Sequence, residues 1–392
     1  AARTISLACF YLTLPALYLL LGELGLSRPR RLFVLACTLV CPVYIFYARA
    51  VLVDPMALLC SVWFLAAFVR TMQTHRWRWF VLCALCGTAA GLIKSLVWFA
   101  WVAPAAAYGA WRLVHELRGT DGWRGMARTA AWGLGVMILP VAASLAWTGY
   151  ADTIKEVHPS AVLFTSHNLA HDNYGTFSLA TRFSGEVWRT LFARWQESIL
   201  PAWALGLLVL PGLFFLPSVR RPIAACAGCF LFIQALIPLA YAYQDYYFYT
   251  CAAFATVAIS FTFLGLLDSR LPRWLALPLL LLPLVALFVN YRTTALRPAP
   301  SGFSYYSDQA VRSPGGSGLT ESIKALTPPK SVIIVAGADW SPVIPYYTQR
   351  KALMIRRGLE NDYPYLERAL RDLAGEDISA LVLVGDQRNN QD

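Results

Sequence analysis

Charge is what this sequence has least of. Asp, Glu, Lys and Arg make up 14% of its 392 residues, against about 25% in ordinary soluble domains. That shortage excludes a water-soluble core as the picture for most of the chain. Acidic residues are scarcer than basic ones, 22 against 33. No basic stripe and no nucleic-acid recognition motif accompanies that excess, so nucleic-acid binding is excluded. No GxGxxG or phosphate loop is present, which removes the usual nucleotide-binding signatures. Histidine is rare, with five residues. No internal repeat is visible, and the one candidate linker is the turn RSPGGSG at 312–318. The chain also lacks an initiator Met, and no signal-peptide pattern precedes its first apolar run. It is therefore expected to be a piece without its natural start.

What is there is hydrocarbon. The composition is 58% hydrophobic and the mean hydropathy is +0.51. Apolar runs reach the roughly 20 residues needed to cross a bilayer. About ten spans are expected, near 4–24, 32–48, 55–71, 79–94, 96–112, 129–149, 198–216, 222–241, 247–267 and 274–291. Arginines collect in alternate loops: Arg28, Arg30 and Arg31; Arg70, Arg76 and Arg78; Arg112, Arg118, Arg124 and Arg128; Arg220 and Arg221; Arg270 and Arg273. The positive-inside rule puts those loops on the cytoplasmic side. The outer side then receives Arg49–Asp54, Lys94–Ser95, the segment 150–197, the cluster Tyr241–Tyr249 and everything after about 295. Trp77, Trp79, Trp111, Trp147 and Tyr150 at span ends suit an interfacial aromatic belt. Nine cysteines lie mostly inside apolar runs. Cys83/Cys86 and Cys226/Cys229 have metal-ligand spacing, but buried cysteine also serves as a small apolar residue.

Segment 150–197 is too long and polar for a plain connection, and loops of such length are usually functional. Its second half repeats Phe183, Val187, Leu191 and Trp195 on one helical face, which predicts an amphipathic helix on the outer membrane surface or capping the bundle. It also carries His158, His167, His171 and Asp172. His167 and His171 stand four apart, with Asp172 beside them, so a zinc or manganese site is conceivable. The flanking Asn168 and Asn173-Tyr174-Gly175 read as loop instead. The reading preferred here is a covering loop whose His158 and His167 hydrogen-bond a substrate, with no firm cofactor. Residues 296–392 change character. SVIIVAG (331–337) and ISALVLVG (378–385) read as buried strands, and TESIKAL and YPYLERALRDLAG as helices around them. That alternation implies a small external α/β domain with a parallel sheet, following a transmembrane domain over 1–295.

The polar residues of the apolar region gather at the expected outer ends. YARAVLVDPMALLC, Tyr47 to Cys60, places Arg49 and Asp54 between two spans. A carboxylate at membrane depth costs roughly 2.5–3.5 kcal/mol on insertion scales, so it faces a cavity or a partner. Asp54, followed by Pro55, also suits the first turn of a helix, anchored there by Arg49. Lys94 in GLIKSLV and the cluster Gln244, Asp245, Tyr246 and Tyr247 arrive at the same level. For Lys94 the alternative is snorkelling to the interface. Lysine and arginine hold phosphate oxygens by charge-assisted bonds, and a carboxylate can serve as general base. A phosphate-bearing lipid is the substrate class this set suits.

ARxxxxDP at Ala48–Pro55, GTAAGLIKS ending at Ser95, and QDYYFYT at Gln244–Thr250 resemble the family-39 type of GT-C glycosyltransferases. That group includes protein O-mannosyltransferases and the lipid A aminoarabinose transferase. AARTISLACFYL resembles the start of the family's second transmembrane helix, and DWSPVIPYY at 339–347 resembles its external C-terminal domain. The resemblance implies a mainly α, polytopic helical bundle of the GT-C type in a bacterial inner or plasma membrane. It implies a polyprenyl-phosphate sugar as donor, a lipid, glycan or protein as acceptor, and an inverting displacement among membrane lipids. It places the principal catalytic aspartate in a first external loop ahead of residue 1. It makes Asp54 a secondary acidic residue and puts Lys94 near the donor phosphate. Arg49, Tyr246 and Tyr247 fall on the cavity rim, and Asp245 lies beside them. Two other classes stay open: a transporter or flippase of a lipid-linked substrate, and a membrane scaffold with an external binding domain.

Overall fold

A computed structural model describes residues 2–119, 122–157, 161–176, 178–269, 272–295, 318–337, 342–355, 359 and 362–384. The chain divides into two units. One comprises residues 1–154 and 163–303, the other 155–162 and 304–392. As the sequence predicts, the first is a helical membrane bundle and the second holds a small parallel sheet.

The bundle begins with α1 (Ala2–Glu23), α2 (Arg28–Leu39) and α3 (Pro42–Tyr47), then α4 (Asp54–Thr74), α5 (Trp77–Leu117) and α6 (Gly122–Glu156). It continues with α7 (Gly185–Ser198), α8 (Ala202–Phe215), α9 (Pro217–Leu236), α10 (Pro238–Tyr243), α11 (Phe248–Leu267) and α12 (Ala276–Asn290). Seven helices among the described residues are long and apolar enough to cross a membrane, or up to eight if a bent pair is one span. Ten spans were expected, and the difference has three local causes.

The expected span 32–48 is broken. Pro42 supplies no N–H and its ring excludes a continuous helix, and Cys41 is extended at φ −67°, ψ 128°. The expected span 198–216 shortens to the 14 residues of α8, set at 83° to α7. The third cause is a merger. The two expected spans 79–94 and 96–112 join as α5, interrupted at Lys94 (φ −161°, ψ 94°). A straight 41-residue helix would be about 61 Å long, twice a bilayer core. The packing shows that α5 doubles back instead. Trp77 packs on Trp132 with ring centroids 5.0 Å apart. Gly109, 32 residues further on, faces Met72, which also faces Gly133 next to Trp132. Trp77 and Gly109 thus lie at one level of the bundle, although a straight helix would separate them by about 48 Å. Lys94 stands at the opposite end, where the chain reverses.

α11 is the hub, with 89% of its span window buried. Small residues let neighbours come close, as is usual where helices meet in a membrane. A Cβ on Gly212 would run into Thr262 Oγ1, and one on Gly265 would lie 2.6 Å from Val219 Cγ2. α7 has the expected amphipathic face, with Leu191 and Trp195 buried. It packs on the bundle: Trp195 Nε1 donates to Gln234 Oε1 at 2.6 Å, and Arg194 Nε donates to Ala242 O at 3.2 Å. Phe183 departs from the expectation. It precedes the Ser184 cap and is 83% exposed.

In the second unit, α13 (Leu319–Leu326) precedes β1 (Val332–Ala336). Then come α14 (Val343–Thr348), β2 (Lys351–Ile355), α15 (Tyr363–Asp372) and β3 (Ile378–Leu383). The strands are parallel in the order β2-β1-β3. Central β1 is almost wholly buried, as a parallel strand covered on both faces should be. Residues 339–341 of the DWSPVIPYY stretch and residues 312–317 of the RSPGGSG turn lie outside the described residues.

Candidate functional site

Two ends of the bundle can be told apart by their junctions. At one end lie the turns after α1, α4 and α11. There Arg70 pairs with Glu23, Arg30 with Asp268, and His75 approaches Thr129. At the other lie the turn after α3, the α5 reversal and the segment joining α10 to α11. The polar residues singled out in the sequence meet at this second end.

Asp54 opens α4 with Pro55 behind it, so its carboxylate meets the positive end of the helix. It is 1% exposed. Lys94 Nζ lies 2.8 Å from Asp54 Oδ1. The expected anchor, Arg49, does not make this pair. The turn after α3 carries Arg49 outward, and its Nη2 donates to Tyr291 Oη at 3.4 Å. Burying a carboxylate and an ammonium costs several kcal/mol for each ion, and a partner with further contacts must offset that cost. Lys94 has such contacts. Its Nζ sits 4.5 Å from the ring centroids of both Tyr246 and Tyr247. Each cation–π contact is worth about 0.5–2 kcal/mol, more when desolvated. The two rings stack at 4.8 Å, presented by the 3-10 turn Asp245–Tyr247. The Lys94 side chain keeps 18% of its surface exposed. The geometry therefore shows an ammonium held between two aromatic rings and a carboxylate that is itself covered, on a side chain that keeps part of its surface exposed.

Three residues that sequence reasoning passed over complete the cluster. Tyr47 donates from Oη to Asp245 Oδ1 at 2.6 Å. Tyr247 donates to the Tyr174 hydroxyl at 3.4 Å, tying the segment after α6 to this end. Glu197 accepts from Arg194 Nη1 at 2.8 Å, on the helix that packs beside α10. Tyr47 carried a signal, since it precedes the Arg49 motif by two residues. Tyr174 carried none, because its partner lies on an element distant in sequence, and Glu197, paired with Arg194 three residues before it, reads as an ordinary helix-surface ion pair.

The histidines fall otherwise. His158 lies outside the described residues, as does the side chain of Asp172. His167 and His171 stack at 6.3 Å. They lie on a helical turn, Ser166–Asn168, that runs into a π-turn, Leu169–Asn173, where a loop was expected. Among the described residues no three His, Cys, Asp or Glu gather as a metal would require. Cys83 is buried with its thiol on Phe64 O at 3.6 Å.

Residues 1–157 match the family described as dolichyl-phosphate-mannose-protein mannosyltransferase. The match supports a GT-C type glycosyltransferase. It covers α1 to α6, and so includes Arg49, Asp54 and Lys94. With the membrane bundle it supports a membrane enzyme that takes its sugar from a dolichyl-phosphate donor. No curated protein matches the chain.

Proposed function

We propose that the chain transfers a sugar from a polyprenyl-phosphate donor to a lipid, glycan or protein acceptor at the Lys94 end of the bundle, and that this end faces outward. The orientation rests on the arginine-rich junctions at the opposite end. The site reading rests on one observation above the others. Lys94 Nζ is held by Asp54 and two stacked tyrosines at the point where α5 reverses, on a side chain that stays partly exposed.

The donor is a phosphodiester with a single negative charge. The acceptor hydroxyl or amine attacks the anomeric carbon from the face opposite the phosphate, and its proton passes to a general base, the role that the family resemblance gives to an aspartate of the first external loop. The bond from that carbon to the phosphate oxygen breaks, and the oxygen keeps the electron pair. The departing polyprenyl phosphate moves toward two negative charges. An ammonium fixed beside it binds the transition state more tightly than the donor, which is the condition for raising the rate. The anomeric centre inverts and no covalent enzyme intermediate is needed. Asp54, buried beneath Lys94, acts as a positioning residue. Tyr246, Tyr247, Asp245 and Arg49 form the rim on which the phosphate and sugar are held.

The test is transfer of label from radiolabelled polyprenyl-phosphate mannose to membrane acceptors by the complete gene product in proteoliposomes. Transfer by the wild type that is lost in Lys94→Ala, with folding retained, is the expected result. No donor binding and no transfer across a panel of lipid-phosphate sugars would overturn the reading.

A further inference from the structure

The Lys94 end of the bundle is assembled from segments far apart in sequence, and its two cations belong to different ones. Lys94 is held by the turn Asp245–Tyr247, through the rings of Tyr246 and Tyr247. Arg49 lies just beyond α3. One side chain joins the two. Tyr47, the last residue of α3, donates its hydroxyl to Asp245 Oδ1 at 2.6 Å.

That bond is of the strong kind. A hydroxyl donating to a carboxylate is charge-assisted, with a usual length of about 2.5–2.7 Å. Tyr47 is 2% exposed, and a buried hydroxyl left without a partner is destabilising. The charge of Glu197, on α7, also bears on Asp245. Without the tyrosine hydroxyl, the Asp245 carboxylate would face that like charge with less to hold it.

The backbone carries the constraint to both cations. Ala50 N donates to Tyr47 O at 3.1 Å, closing a turn around Arg49. Tyr247 N donates to Gln244 O at 3.3 Å, closing the turn that carries Asp245 and Tyr246. The Tyr47–Asp245 hydrogen bond thus ties the turn that holds Arg49 to the turn that cages Lys94.

We propose that Tyr47 is a positioning residue for the transfer reaction. Through Asp245 it sets the span between Arg49 and Lys94, so that both cations meet one lipid phosphate. This inference rests on the proposed transfer of sugar from a lipid phosphate. A span fixed in this way favours the departing phosphate over the donor, because the product carries the larger negative charge. A shift of about 1 Å in such a group can cost up to about 10²-fold in rate.

The test is single-turnover transfer by the complete gene product in proteoliposomes. Polyprenyl-phosphate mannose is the donor, and polyprenyl phosphate is added as product inhibitor. Tyr47→Phe keeps the ring and removes only the hydroxyl. It should slow transfer by about tenfold or more and raise the inhibition constant of polyprenyl phosphate by about as much, while donor affinity changes by less than about twofold. In an Asp245→Ala background Tyr47→Phe should have no further effect, because it acts through that carboxylate. A second comparison holds even if Tyr47→Phe does not fold. Asp245→Asn can still accept from Tyr47, so it should transfer about fivefold faster than Asp245→Ala, the worth of roughly one neutral hydrogen bond. Wild-type transfer and inhibition in Tyr47→Phe, an equal loss in both backgrounds, or equal rates for Asp245→Asn and Asp245→Ala would overturn the inference and leave the transfer reaction standing. Absence of transfer by wild type would instead remove the reaction itself, and this inference with it.

Discussion

Replacing Lys94 by methionine leaves the Asp54 carboxylate 1% exposed and without its ammonium. Removing one partner of a buried pair costs about 3–5 kcal/mol, most of it the cost of the stranded charge. Methionine keeps contact with the two tyrosine rings but loses the cation–π attraction, a further loss of about 1–2 kcal/mol. Asp54→Asn is milder. Lys94 retains both rings and 18% exposure, and the amide oxygen can still accept, so about 1–3 kcal/mol is expected. The double variant strands no charge. It should be at least as stable as Lys94→Met alone, with a coupling of about 2–3 kcal/mol between the sites. Equilibrium unfolding in mixed micelles, followed by tryptophan fluorescence, measures all four proteins. A coupling below about 0.5 kcal/mol would mean that Asp54 and Lys94 do not stabilise one another, because residues acting independently add within that margin.

Gly212→Ala should destabilise the bundle by about 1–3 kcal/mol through overpacking, since the new Cβ runs into Thr262 Oγ1 and meets Ile223 Cδ1 at 2.5 Å; Thr262→Ala in the same chain should recover part of the loss in thermal unfolding. Arg350→Ala in the second unit removes donors to Thr327 O at 2.8 Å and Thr348 O at 2.9 Å. A cost of about 1–3 kcal/mol should appear as faster proteolysis of residues after 318 in the full chain. His75 is held below the ordinary histidine range by burial, with Arg128 adding to it. The unfolded chain therefore binds a proton before the folded one does, and stability should fall as pH drops through about 6.5. His75→Gln should flatten that slope in a melting series, and an unchanged slope would contradict the assignment.

Much of the fold was legible because membrane helices announce themselves by length. The reversal at Lys94 could be read from Lys94–Ser95 interrupting a hydrophobic stretch too long for one crossing. The break at Pro42 was legible in principle, since proline in an apolar run often ends a helix, but hydropathy alone ran through it. The strands SVIIVAG and ISALVLVG were readable from β-branched residues ending in glycine, whereas β2, KALMI, is as long as β1 but has a single β-branched residue and no closing glycine. The site was legible in its residue types and in its end of the bundle, but not in its pairings. Arg49 is five residues from Asp54 and looked like its partner. The partner is Lys94, forty residues away, because α4 and the reversal of α5 come together at that end. Tyr174 was missed for the same reason, since its contact with Tyr247 joins separate elements.

In the proposed reaction the Lys94 ammonium stabilises the departing lipid phosphate. The most direct measurement separates donor binding from chemistry in single-turnover transfer by the complete gene product, comparing wild type with Lys94→Ala. The account predicts that the transfer rate falls by about 10²–10³-fold, the usual loss when one fixed charge-stabilising donor is removed, while donor affinity changes much less. Transfer by Lys94→Ala at the wild-type rate would contradict it.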